Sequence, residues 1–62
     1  MEIKLKLQIE LAELELAIFK ADKVYFNNHL WLHDAYARTL LGEQIELMIK
    51  YASVLVKRID LL

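Results

Sequence analysis

The sequence predicts an all-α protein, a helical hairpin that pairs with a second copy into a dimeric helical bundle. Three observations carry this expectation. Proline is absent and Gly42 is the only glycine among 62 residues, so little interrupts helices built from Leu, Glu, Lys, Ala and Ile. Apolar residues recur at helical spacing through both halves of the chain. They also make up 58% of it, against about 45–50% in an ordinary globular protein. A chain this short buries only about 60% of its unfolded surface, so it carries more apolar side chain than its interior can hold. With no cysteine present, disulfides and thiolate zinc sites are excluded as remedies. A partner chain remains.

The first helix is expected over Glu2–Phe26, as one domain with the rest of residues 1–62. Ile3, Leu7, Leu11, Leu14 and Ile18 form one apolar stripe at i, i+3/i+4 spacing. Leu5, Ile9, Ala12, Leu16 and Phe19 form a second. At about 100° per residue the two lie on opposite sides of a helix, so such a helix must be covered twice. One stripe is expected to pack within the hairpin and the other across the dimer two-fold, in parallel or antiparallel order. The same letters also alternate as a half-buried strand would over Ile3–Leu11. The Leu, Lys, Gln and Glu content favours helix there, with only two β-branched isoleucines in support of a strand.

Asn27-Asn28 is the strongest turn signal, because Asn tolerates the left-handed conformation at a helix end and is also a good N-cap. The second helix is therefore expected to begin near His29, with Asp22 and Asp34 as competing start signals. Along it Ala37, Leu41, Ile45, Met48, Ala52, Leu55, Ile59 and Leu62 make an unbroken heptad-like seam. Leu40, Leu47, Tyr51, Val54 and Leu61 run beside it, and Ile49 and Val56 widen the apolar arc on the other flank. Gly42 marks a kink, a break dividing the helix, or a close helix crossing. The core and dimer interface are expected from Leu5, Ile9, Leu11, Leu14, Leu16, Ile18 and Phe19 in the first helix. In the second they are Leu41, Ile45, Met48, Ala52, Leu55 and Ile59.

Little in the chain points to chemistry. Ser53 and Thr39 have no base at a useful spacing, no glycine-rich phosphate loop occurs, and the carboxylates lie among helix-surface charges. The expectation is a protein that is not an enzyme, with no cofactor and no catalytic residues. His29 and His33 share a helical face but flank Leu30-Trp31-Leu32 rather than a metalloprotease glutamate, so no metal site is expected. Five of the six aromatics fall between positions 19 and 36. They either plug one end of a bundle or serve as partner hot spots. Tyr25, Phe26, Asn28, His29, Trp31, His33 and Tyr36 are the candidate partner-binding residues.

Eight basic and nine acidic residues give no electrostatic footprint for nucleic acid. The charge-free runs are too short to span a bilayer, and Glu2, Lys4 and Lys6 interrupt any signal-like segment. A cytoplasmic protein with no membrane partner is expected.

Two resemblances follow from these residues. In length, hairpin pattern and lack of Cys and Pro, the chain resembles the Rop-type hairpin dimers and other small helical proteins of bacteriophages and plasmids. It shares no motif with them, so no functional residues carry over. The resemblance implies a small regulator or adaptor that acts as a homodimer on another protein, in the host cytoplasm if phage-encoded. Were Ile3–Leu11 a strand, the order of elements would resemble the ribbon-helix-helix repressors. Lys4, Lys6 and Gln8 would then face the DNA major groove. The Asn27-Asn28 turn departs from that family's glycine-containing turn, and Glu10, Glu13 and Glu15 crowd the DNA-facing side.

Overall fold

The computed structural model describes residues 2–31 and 34–62. Helix α1 spans Ile3–Tyr25, a single 3-10 turn spans Asn28–Trp31, and helix α2 spans Ala35–Asp60. The long helices pack as an antiparallel hairpin: Tyr51 of α2 donates its hydroxyl proton to the Glu10 carboxylate, while Tyr25 packs on Gly42 at the other end. No strand occurs among the described residues. The alternating segment Ile3–Leu11 is helical throughout, and the DNA-reading ribbon has no counterpart. Of its three candidate readers, Lys4 and Gln8 lie one turn apart on one face of α1 and Lys6 on the other side, so they do not share the single edge a strand would give them.

The core is the line along which the two helices meet. Leu7, Ile45 and Leu55 are buried, and half-buried Leu11, Leu14, Ile18, Leu41, Met48, Ala52 and Ile59 extend that line. The Leu7 stripe is thus the intramolecular seam of α1, although Ile3 at its end is exposed. On α2 the heptad-like seam faces inward as far as Ile59, while Leu62 lies exposed beyond the helix.

The connection between the helices differs from expectation. The helix start expected near His29 is at Ala35, because Asp34 caps it: its carboxylate accepts the Ala37 N–H at 2.9 Å, the bond that satisfies an otherwise unpaired donor of the first turn. Asp22 lies inside α1 and starts nothing. The left-handed residue expected at Asn27-Asn28 is also absent, since no described non-glycine residue has positive φ. The Asn27 side chain instead accepts the His29 N–H at 3.2 Å and opens the 3-10 turn.

Lacking a left-handed cap, α1 ends on side-chain donors. The Trp31 indole N–H is shared between the carbonyls of Val24 and Tyr25, at 3.0 Å from each. Arg38 Nε donates to the Tyr25 carbonyl at 3.2 Å. Carbonyls that a helix end leaves open are thereby satisfied from across the loop.

Helix α2 runs unbroken through Gly42. Of the three roles foreseen for this glycine, the close crossing is the one realised. A Cβ there would stand 3.0 Å from Cε2 of Tyr25. The Tyr25 ring lies under the Arg38 guanidinium, 4.4 Å from its centroid, and meets Phe26 edge-on at 5.1 Å.

Candidate functional site

Two apolar surfaces remain open once the hairpin has formed. On α1 the second stripe points away from α2, with Leu5 and Ile9 nearly half exposed, Leu16 53% exposed and Phe19 56% exposed. Ala12 lies exposed between them. Lys23 partly roofs this surface, its ammonium 4.5 Å from the Phe19 ring centroid, a contact that i, i+4 spacing makes local. On α2, Leu40, Leu47, Tyr51 and Val54 are exposed in succession, with Leu61 just past the helix. Leu47, the most open of those within α2, keeps 65% of its surface. Ile49 and Val56 are exposed on the opposite flank of α2.

The residues singled out as core or interface therefore divide. Leu11, Leu14, Ile18, Leu41, Ile45, Met48, Ala52, Leu55 and Ile59 line the hairpin's own seam, and Leu5, Ile9, Leu16 and Phe19 stand outside it.

The residues singled out for a partner divide as well. Tyr25 and Trp31 are half-buried and committed to the loop closure described above. Phe26 and Tyr36 are open to solvent, at 70% and 73% exposure, and His29 is exposed beside them. Asn28 contributes its backbone to the 3-10 turn, and His33 lies outside the described residues. Arg38 and Glu10, which tie the loop and the helices together, were not foreseen, because their partners lie far along the chain.

One flank of the hairpin carries two open grooves. The larger, about 390 Å³, is lined by Asp22, Tyr25, Phe26, Thr39, Gly42, Glu43, Ile45 and Glu46. The smaller, about 340 Å³, runs on past Glu15, Ile18, Phe19, Ile49 and Ala52. The charged groups lining both are carboxylates, and the Thr39 hydroxyl donates to the Ala35 carbonyl of its own helix at 3.1 Å. Among the described residues no three His, Asp or Glu side chains gather at metal-binding distance. No described helix is long and apolar enough to cross a membrane. Comparison with protein-family models, curated protein sequences and solved structures finds no match.

Proposed function

We propose that this chain is a non-enzymatic protein–protein interaction module that works as a homodimer, serving as a regulator or adaptor. The supporting observation is the surface it leaves open. Its accessible area is 5021 Å², whereas a compact monomer of 7.3 kDa exposes about 4200 Å². The surplus is close to the roughly 800 Å² that each partner contributes to a standard interface. Much of the open surface is large aliphatic and aromatic side chain on both helices, the material of an interface core. The two apolar surfaces lie on different sides of the hairpin, so a single flat contact covers one of them and leaves the other for a second partner.

Sedimentation equilibrium tests the self-association. A mass of twice 7.3 kDa at micromolar concentration is the expected result. A well-folded monomer up to the millimolar range overturns the reading.

A further inference from the structure

Both open rows repeat at heptad spacing, Leu5, Ala12 and Phe19 on α1 no less than the row on α2, and what distinguishes them is their exposure and the charges beside them. Leu40, Leu47, Val54 and Leu61 follow one another at seven-residue intervals, the repeat of a helix–helix seam. This row lies about 130° around α2 from the Ile45–Leu55 line, at 100° per residue, so α1 does not cover it. Along one edge run Glu43, Lys50 and Lys57, all exposed and also seven apart. In heptad terms the row is the d position and the charged edge the g position. In antiparallel pairs g faces g, whereas in parallel pairs g faces e.

We propose that the homodimer two-fold runs through this row, with α2 packed antiparallel against α2 of a second copy near Lys50 and Tyr51. The inference rests on the self-association argued above and adds its surface and polarity. In this register Leu47 meets Val54 of the other copy, and Leu40 meets Leu61. Glu43 then faces Lys57 on both sides of the axis, giving two opposite-charge pairs. Lys50 approaches its own copy at the axis, with Glu46 one turn earlier in the favourable order to temper it.

A parallel pairing on the same row sets Glu43 against Met48, Lys50 against Leu55 and Lys57 against Leu62, so no charge meets an opposite one. The outer stripe of α1 is the alternative surface for self-pairing. Antiparallel pairing through Leu5, Ile9, Leu16 and Phe19 sets Lys6 against Lys20 and Glu13 against Glu13. A parallel arrangement there sets Gln8 against Glu13 and Glu15 against Lys20, the latter an opposite-charge contact. The α2 row is the more open of the two, with Leu47 65% exposed, whereas Lys23 already lies over Phe19 on the α1 stripe. On α2, charge complementarity then selects the antiparallel sense. The α1 stripe stays outside this contact.

The chain has no cysteine, so single cysteines at exposed sites report the geometry directly. Glu43→Cys, Lys50→Cys and Lys57→Cys proteins are treated with a short bis-maleimide. Lys50→Cys is expected to cross-link to itself. Glu43→Cys and Lys57→Cys are expected to cross-link to each other when mixed, and only weakly each to itself. As a second readout, Glu43→Lys or Lys57→Glu alone should weaken the dimer about fivefold to tenfold. The double exchange should restore it to within about twofold.

Efficient self-cross-linking of Glu43→Cys, or a double exchange no better than its parents, overturns the α2 pairing while sedimentation still reads a dimer. Sedimentation as a monomer overturns the self-association itself, and this pairing with it.

Discussion

Tyr25 packs on Gly42 where the helices cross, and the energetics of the two residues can be separated. Glycine inside a helix costs about 1 kcal/mol relative to alanine, so Gly42→Ala would by itself stabilise α2. The new methyl group would instead meet the Tyr25 ring at 3.0 Å, and that ring is confined by Arg38 on its face and Phe26 at its edge. In a Tyr25→Ala background, Gly42→Ala is therefore expected to stabilise by about 1 kcal/mol. In the native chain it should gain less or lose outright. Chemical denaturation of the four proteins in this cycle gives the difference, and equal effects in both backgrounds would show that Tyr25 does not hold Gly42. A second residue-scale expectation concerns Trp31, whose N–H serves two carbonyls at the end of α1. Trp31→Phe keeps the ring and removes that donor, which should cost about 1–2 kcal/mol and fray α1 near Val24 in hydrogen exchange. The contrast between Asp34 and Trp31 shows what local sequence can reveal. An Asp just before a helical run is a start signal because its cap bond reaches only three residues ahead. The Trp31 bonds reach back six and seven residues across the loop, and no local pattern marks them.

At the scale of the helix, α1 presents the clearest choice. Its two apolar stripes have the same spacing and nearly the same residues, so their existence was legible in the sequence while their roles were not. Helix α2 packs on one side only, which makes the Leu7 stripe inner and the Leu16 stripe outer. The strand alternative at Ile3–Leu11 fails for a related reason. Every second residue of a two-stripe helix is apolar too, and helix-favouring Leu, Lys, Gln and Glu outweigh two isoleucines. Glutamate scanning separates the stripes. Leu7→Glu places a carboxylate in the buried seam and should cost about 3–5 kcal/mol, abolishing most helicity by circular dichroism. Leu16→Glu stands in solvent, four residues before Lys20 in the favourable order. Its stability should stay within about 1 kcal/mol of the parent. Its sedimentation should also be unchanged if the two-fold lies on α2. Comparable damage from both substitutions would mean that the outer stripe is covered as well.

The whole molecule is long for its mass. Its Cα extents are 46 × 15 × 13 Å and its radius of gyration is 14.5 Å, whereas a compact body of 62 residues has about 11 Å. Side-by-side pairing doubles the mass while adding chiefly width, so two such hairpins come nearer to the roughly 14 Å of a compact body twice the size than one hairpin comes to its own value. Three buried side chains among the described residues are a thin core for ordering both long helices, and in the proposed dimer burial against a second copy would add to it. Stability should then depend on concentration, because unfolding a dimer releases two chains. Raising the concentration by about two orders of magnitude adds about 2.7 kcal/mol per dimer. With an unfolding entropy of about 2.1 cal/mol/K per residue over both chains, the midpoint should rise by about 10 °C. Thermal melts followed by circular dichroism at the two concentrations measure this directly. A midpoint that does not move would describe a hairpin that folds alone. The same melts on Leu47→Glu should lose the concentration dependence and settle at a lower midpoint, since that substitution places a charge in the middle of the α2 row and leaves the Leu7–Leu55 seam untouched.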